Sequence, residues 1–359
     1  MNTSTSPLLD YLNTLVIDAY GLTLQEMGCE SKLSETPDCT TIHIKAGFPI
    51  LGSAESIQKQ CLTQLMQQFP QQAITMHIEQ KIPAYQTQMP GKSLRGVKNT
   101  IAIASGKGGV GKSTVTVNLA AALLKAGARV GILDADIYGP SMPMMLGACQ
   151  PITLSGEHYI PAQAHGLQAM SIGYLTKTEE QALLWRGPML AKALLQMLDL
   201  TLWDDLDYLL IDLPPGTGDI QLSLVQKIPL TAAIVVTTPQ NIATLDAQKA
   251  LQLFEQTHID VIGIIENMST HICTACGHEE AIFGSGGAEK IAGQFQVPLL
   301  GRLPLDTRIR ECADQGTPIA LLQDTSVNKS WTDIANLASI LLAQKTISYA
   351  HKFPPIITQ

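Results

Sequence analysis

The feature that most constrains the fold of this chain is the segment GKGGVGKST at 106–114. Its pattern, Gly-x-x-x-x-Gly-Lys-Ser/Thr, is typical of a phosphate-binding loop between a strand and a helix. An apolar run at 101–104 precedes the loop, and Val115, Leu119 and Leu123 after it fall on roughly one helical face. The first N–H groups of such a helix face phosphate oxygens. The sequence therefore predicts a nucleotide site in preference to a structural glycine-rich turn.

Individual loop residues receive specific roles from this pattern. Lys112 should contact the β- and γ-phosphates, and the hydroxyl of Ser113 should ligate Mg²⁺. Lys107 is a second lysine at a position where the ordinary motif accepts almost any residue, which indicates a nucleotide site completed by two subunits. The residues predicted to bind nucleotide here are Gly106, Lys107, Gly108, Gly109, Val110, Gly111, Lys112, Ser113 and Thr114.

Two acidic segments follow predicted strands. The strand at 129–134 leads to Asp134 and Asp136, and the strand at 207–212 ends on Asp212. A carboxylate at the end of a strand beside a triphosphate can hold Mg²⁺ or orient the attacking water. Each aspartate could instead cap the following helix. We assign catalytic roles to Asp136 and Asp212, together with Lys107 and Lys112, and leave Asp134 open between the two interpretations.

Apolar runs alternate with helical stretches through the remainder of the chain, which predicts an α/β fold with a doubly wound, mainly parallel sheet. The predicted strands lie at 100–105, 129–134, 207–212, 232–237, 260–265 and 299–302. Ahead of them, a helix at 8–17, a strand at 41–44, a helix at 56–69 and a strand at 74–78 predict a small α+β domain. The expected organisation is a small domain at 1–85, a linker at 86–98, a P-loop domain at 99–345 and a tail at 346–359.

The charge of the chain excludes some partners. A net charge of −8 gives no overall attraction to nucleic acid or to anionic lipid. No run is long enough to cross a bilayer, and the first residues lack the features of a signal peptide. We therefore expect a cytoplasmic protein with neither a nucleic acid nor a membrane as partner. The linker cations Lys92, Arg95 and Lys98 are interpreted as solvated.

Cys273 and Cys276 form a Cys-x-x-Cys pair, whose spacing brings two thiolates to one metal. A cluster or a structural zinc ion needs four ligands, and a two-fold dimer would supply the missing pair. Two alternatives remain open at this point: a zinc site that recruits His271 or His278, and a redox dithiol.

The segments KGGVGKST, DADIYGPSMP and DLPPGTGD together resemble the deviant Walker A (SIMIBI) ATPases, and specifically the Mrp/ApbC group of iron–sulfur cluster carriers. The resemblance implies ATP as the nucleotide. It implies that Lys107 reaches the phosphates of a partner subunit, that Asp136 positions the hydrolytic water and that Asp212 belongs to the second switch. By analogy Asn267 contributes to base selection, although it reads equally as a turn residue.

The same resemblance implies that Cys273 and Cys276 hold a [4Fe-4S] cluster between two subunits. The implied protein is a homodimer that hydrolyses ATP slowly and carries clusters from donors to apo client proteins. The amino-terminal domain resembles one fused to cluster-assembly factors, with Phe48 where that domain usually has a cysteine. We assign it no chemistry and expect it to dock partners.

Two other classes share parts of this pattern. A positioning ATPase of the MinD/ParA type needs a membrane-seeking tail or a basic DNA face, whereas Pro354 and Pro355 interrupt this tail and the chain is acidic. An electron donor like the nitrogenase iron protein draws its two cysteines from separate segments. Both are kept as alternatives to the carrier.

Overall fold

The structure is a computed structural model that describes residues 6–137, 139–147, 152–175, 187–273, 275–323 and 326–349. Its elements are, in chain order, α1 (Pro7–Thr14), β1 (Val16–Ile17), β2 (Leu22–Thr23), β3 (Glu30–Glu35), β4 (Thr40–Ala46), α2 (Ala54–Gln68), β5 (Ile74–Gln80), β6 (Val97–Ala104), α3 (Lys112–Lys125), β7 (Val130–Asp134), α4 (Met142–Leu146), β8 (Thr153–Ser155), β9 (His158–Ile160), β10 (Ala162–Ala164), β11 (Leu167–Ser171), α5 (Ile172–Leu175), α6 (Gly187–Leu200), β12 (Leu206–Asp212), α7 (Asp219–Val225), β13 (Ala232–Thr237), α8 (Asn241–Gln256), β14 (Val261–Glu266), β15 (His271–Ile272), β16 (Glu279–Glu280), α9 (Gly287–Phe295), β17 (Leu299–Arg302), α10 (Thr307–Asp314), a 3₁₀ turn (Ile319–Leu321) and α11 (Ser326–Ala343).

The amino-terminal unit is a small sheet in the order β3–β4–β5, with β4 antiparallel to β3 and parallel to β5. Helix α2 makes the crossover between β4 and β5 and buries Ile57, Cys61 and Leu65. Phe48, at the position where the resembled domain carries a cysteine, is buried in the core. Its surroundings are those of a packing residue.

Two details of this unit differ from the sequence prediction. The first helix ends at Thr14, because Val16–Ile17 turns into a short strand that pairs with β2. Strand β3 was not predicted, since its sequence ESKLSE has a single apolar residue and most of its side chains are exposed. An edge strand with one apolar residue has no alternation of apolar and polar residues from which to predict it.

The larger unit is a sheet in the order β10–β11–β7–β12–β6–β13–β14–β17 within the described residues. All neighbours are parallel except β10 and β11 at one edge. The six predicted strands are all present, and the doubly wound, mainly parallel P-loop fold is confirmed. Strand β11 was missed because Leu167–Ser171, although buried, is rich in small and polar residues that lack a strong strand preference.

Strand β6 lies in the middle of this sheet and leads directly into the glycine-rich loop. Its neighbours β12 and β13 are hydrogen-bonded to it on either side, and β7 lies next to β12. In the registers of these strands Asp212 is opposite both Asp134 and Ile103. The carboxyl ends of three strands therefore meet at the edge where the phosphate-binding loop begins.

The predicted linker and tail pair with each other. Strand β6 already begins at Val97, inside the predicted linker at 86–98. Ile347 forms an antiparallel bridge with Tyr85, and the N–H of Gln86 donates to the carbonyl oxygen of Thr346. Both segments carried too few apolar residues to indicate this pairing, and residues 350–359 lie outside the described part of the tail. Among the described helices, none has the length and apolar character needed to cross a membrane.

Candidate functional site

The glycine-rich loop places a helix start at the end of β6. Gly109 and Gly111 have φ of 81° and 82°, in the left-handed region that side chains rarely adopt. Helix α3 begins at Lys112, and its first bond runs from the N–H of Val115 to the Gly111 carbonyl. The earlier N–H groups of the first turn have no helical partner and point out of the helix end, which suits them to bind phosphate.

Gly106 packs against the backbone of α8. A Cβ atom added at this position would lie 1.9 Å from the carbonyl oxygen of Asp246. The close approach of two backbones therefore requires a glycine here. The contact fixes the start of the loop against α8.

We expect Gly106→Ala to lower the free energy of unfolding by about 3 kcal/mol, because the collision is with backbone that cannot move aside easily. Urea unfolding would measure this. Gly108→Ala is the matched control in the same loop, since its added Cβ would come no closer than 3.9 Å to Pro215. Equal stability of the two variants would contradict the packing argument.

Asp212 is the centre of the polar site. It is fully buried and accepts hydrogen bonds from the hydroxyls of Ser113, at 2.6 Å, and Thr116, at 2.7 Å. The ammonium of Lys112 lies 2.8 Å from the same carboxylate. Hydroxyl and carboxylate oxygens are the donors that Mg²⁺ prefers, so Ser113 and Asp212 fit a bound Mg²⁺ ion. Thr116 was not predicted, although it is one helical turn beyond Lys112.

Asp134 is buried beside Asp212 and holds the loop that follows β7. It accepts hydrogen bonds from the N–H groups of Asp136 and Ser141, at 3.1 and 3.2 Å, and from the Ser171 hydroxyl at 2.9 Å. Burial and the nearby charge of Asp212 raise the pKa of Asp134 to about 7. Of the two interpretations left open for Asp134, the structure favours the one in which it holds a loop and a helix start.

Asp136 is half-buried on the loop that Asp134 holds. It lines a cavity of about 670 Å³ together with Pro214, Pro215 and Gly218 of the segment after β12. That segment also reaches the phosphate-binding loop, since the N–H of Gly216 donates to the Ser105 carbonyl at 3.0 Å. The predicted water-positioning residue and the predicted second switch therefore lie on one cavity.

Lys107 and Asn267 have different surroundings. The side chain of Lys107 is exposed and forms no ion pair with the described residues. Asn267 is buried, and its side-chain N–H donates to the Val110 carbonyl at 2.9 Å. Asn267 thus holds the loop in position, and its part in base selection stays a prediction.

Cys273 and Cys276 lie in the turn of a hairpin made by β15 and β16. The N–H of Cys273 donates to the His278 carbonyl at 2.9 Å, and Gly277, with φ of 71°, donates to the Cys273 carbonyl at 2.8 Å. Backbone N–H groups of Cys276 and Ala275 facing the sulfur lower the pKa of the Cys273 thiol. Such a turn favours the thiolate, which is the form that binds metal.

The histidines beside the cysteine pair have other surroundings. Nδ1–H of His271 donates to the Leu305 carbonyl at 3.1 Å, and His278 is exposed. Within the described residues, no three side chains of the metal-binding types converge on one point. Cys276 is exposed and Cys273 half-buried, so both thiols face the outside of the molecule.

Both ends of the cysteine hairpin lead back to the phosphate-binding loop. Met268 precedes β15 and Phe283 follows β16, and both line a cavity of about 140 Å³ with Lys107, Gly108 and Gly109. Met268 has φ of 56°, in the left-handed region where residues other than glycine are uncommon. Sequence reasoning missed both residues, because a single apolar side chain near a turn carries no pattern.

Residues 96–339 match the protein family described as ParA: NUBPL iron-transfer P-loop NTPase. A relative from Escherichia coli K12, named iron-sulfur cluster carrier protein, is 51% identical over 290 residues, which cover 80% of this chain and 78% of the relative. A relative of the same name from Haemophilus influenzae is 49% identical over 311 residues, covering 86% of this chain and 84% of the relative. A solved structure of a nucleotide-binding protein from Archaeoglobus fulgidus in complex with ADP has a TM-score of 0.55 at 37% identity, covering 62% of this chain and 88% of that one. The family match includes both the phosphate-binding loop and the cysteine pair.

Proposed function

Because this chain belongs to the NUBPL iron-transfer family of ParA-type P-loop NTPases, we propose that it is an ATP-hydrolysing carrier that accepts an iron–sulfur cluster and delivers it to apoproteins. The observation that carries the proposal is the cysteine hairpin: it presents two thiols at the surface, and both of its ends line the cavity at the phosphate-binding loop. The names of the Escherichia coli and Haemophilus influenzae relatives support the same role.

The nucleotide chemistry follows from the polar site. Lys112 neutralises the β- and γ-phosphates of ATP, and the N–H groups at the start of α3 bind their oxygens. Ser113 and Asp212 would hold Mg²⁺, which supplies charge neutralisation at the transferred phosphate. Asp136, on the cavity next to the second switch, orients the attacking water.

The cluster is the cargo, and its binding needs two copies of the chain. One hairpin offers Cys273 and Cys276, whereas a four-iron cluster takes four thiolates. A two-fold dimer brings the two hairpins together and gives a site that is open enough to release its contents. In the same dimer Lys107, which is exposed on the loop, reaches the phosphates bound by the other copy.

The positioning-ATPase alternative shares the P-loop but has no support beyond it. The family match and the relatives at 51% and 49% identity carry the iron-transfer and cluster-carrier descriptions. We therefore do not propose that function.

Anaerobic reconstitution with iron and sulfide tests the carrier function. We expect about two iron and two sulfide ions per chain in a dimer, since one four-iron cluster is shared. Mixing the loaded protein with an apoferredoxin should transfer the cluster, read by circular dichroism of the acceptor. Zinc in place of iron after aerobic and anaerobic purification, or a loaded protein that never yields its cluster, would refute the proposal.

Coupling between the two sites can run through the ends of the hairpin. Met268 and Phe283 touch the same cavity as Lys107 and the loop glycines, so a nucleotide that reorders this loop moves the stems of the hairpin.

We expect Phe283→Ala to uncouple transfer from nucleotide while leaving cluster binding intact. The ratio of the cluster-transfer rates with and without ATP measures how strongly ATP binding affects transfer. It should fall to about one when the two sites are no longer coupled. The assay is transfer to apoferredoxin at saturating ATP. Leu154→Ala, which removes an apolar side chain from the β8–β9 hairpin, should keep the wild-type ratio. An unchanged ratio in Phe283→Ala would exclude this route.

A further inference from the structure

A cleft of about 790 Å³ lies at the amino end of β6, away from the phosphate-binding loop. Its walls come from the amino-terminal sheet, the predicted linker and residues 347–349 of the tail. Val97 and Thr100, near the amino end of β6, form part of it, whereas the phosphate-binding loop follows the carboxyl end of that strand. No role in nucleotide or cluster chemistry explains a cleft at this end of the sheet.

Cations dominate the charged groups of the cleft. Its lining includes five of them, which are Lys45, Lys81, Lys92, Arg95 and Lys98. The carboxylates in the lining are Glu30 and Asp205, and Asp205 is engaged by Arg129. The charged residues of the cleft are thus mainly positive, whereas the whole chain has a net charge of −8.

Most of these cations are available to a ligand. Lys98 is occupied, because its ammonium lies 2.7 Å from Asp207. Within the described residues, the side chains of Lys45, Lys81, Lys92 and Arg95 form no ion pair. Glu30 is opposite Lys45 in the strand register and offsets part of that one charge. The net field in the cleft is therefore positive.

The cleft also offers apolar surface. Leu94 and Ile347 are half-buried in its wall, and Tyr349 is 54% exposed. The hydroxyl of Tyr85 is already used, since it donates to the Gly47 carbonyl at 2.9 Å. A ligand that fits this surface carries negative charges around one or more apolar groups.

We propose that this cleft binds an acidic peptide segment of a partner protein, with apolar side chains among its carboxylates. The volume lies in the range of sites that bury an extended organic ligand, well above the space a single inorganic anion fills. The cations come from two segments, the amino-terminal unit and the linker, which suits several carboxylates along a chain. The inference is independent of the nucleotide and cluster assignments.

The test uses the full-length protein and a fluorescein-labelled peptide of glutamates interrupted by leucines. Fluorescence anisotropy should detect binding that weakens with added salt, because exposed charges are screened. A lysine–leucine peptide of the same length should not bind. A photoreactive phenylalanine in place of one leucine should form adducts within 81–98 or 347–349.

The decisive variant reverses two exposed linker cations, Lys92→Glu with Arg95→Glu. We expect the dissociation constant to rise about tenfold or more, since each exposed ion pair lost is worth a factor of about two to five and repulsion is added. Lys290→Glu with Lys329→Glu is the matched control, with the same charge change on exposed residues of α9 and α11. Both double variants should retain wild-type ATP hydrolysis, which verifies folding.

The proposal would be overturned by no binding of the acidic peptide to the wild type, by an equal loss in the control variant, by adducts outside the cleft, or by displacement of the peptide by inorganic phosphate at equal concentration. Binding of a single-stranded oligodeoxynucleotide that the same linker variant abolishes, without peptide binding, would assign the cleft to nucleic acid and equally overturn it.

Discussion

Serine at both Cys273 and Cys276 is expected to abolish cluster binding while the protein stays folded. The loss should exceed about a hundredfold in cluster affinity, since even residues that only support metal ligands are worth about 10- to 100-fold. Anaerobic reconstitution followed by iron and sulfide analysis would measure it. Urea unfolding should be nearly unchanged, because one thiol is exposed and the other half-buried in a surface hairpin.

Cys312→Ser is the matched control for this experiment. Cys312 is another half-buried cysteine, on α10 and not on the hairpin, and burial raises the pKa of its thiol. The control should bind as much iron and sulfide as the wild type. A double hairpin variant that still holds a cluster, or a control that loses it equally, would show that the ligands lie elsewhere.

The second large effect is expected at Lys112. Replacement by glutamine should slow ATP hydrolysis by about 10²- to 10³-fold, the typical cost of removing one group that stabilises charge in a transition state. Glutamine is preferable to alanine, because the Lys112 ammonium lies 2.8 Å from the buried Asp212 and a side-chain amide can still donate to that carboxylate. Alanine would leave the buried Asp212 with only the hydroxyls of Ser113 and Thr116, and breaking a buried ion pair in this way costs about 3–5 kcal/mol of stability and would obscure the result.

Phosphate release at saturating ATP and Mg²⁺ measures the effect. Lys125→Gln, at the other end of the same helix and exposed, provides the control and should hydrolyse ATP at the wild-type rate. Hydrolysis by Lys112→Gln within about twofold of the wild type would remove Lys112 from the phosphate site.

The nucleotide half of the site could be proposed from the sequence because its residues are local, and their roles stay predictions. A glycine-rich loop, its lysine and its serine are contiguous, and the strand before them is an unbroken apolar run. The aspartates could be added because parallel strands all end at the same edge of a sheet. The contacts of Asp212 with Ser113 and Thr116 agree with that reasoning.

What the sequence missed depends on contacts between distant segments. The side chain of Asn267 donates a hydrogen bond to the Val110 carbonyl, which is 157 positions away in sequence. No pattern near Asn267 predicts this contact. Met268 and Phe283 share a cavity with the loop although more than 150 positions of sequence separate them from it. The cationic cleft likewise brings together segments from three parts of the chain. The linker cations, which the sequence analysis interpreted as solvated, therefore line the same cleft.

The central claim is that two copies of the chain complete each nucleotide site by exchanging Lys107. Mixing Lys107→Ala subunits with Lys112→Gln subunits tests it most directly, since each variant alone is expected to be nearly inactive. If Lys107 acts across the interface, a mixed dimer has one site with both lysines, and random pairing restores about one quarter of wild-type ATP hydrolysis. If no activity returns although native mass spectrometry detects mixed dimers, Lys107 acts within its own subunit and the claim is wrong.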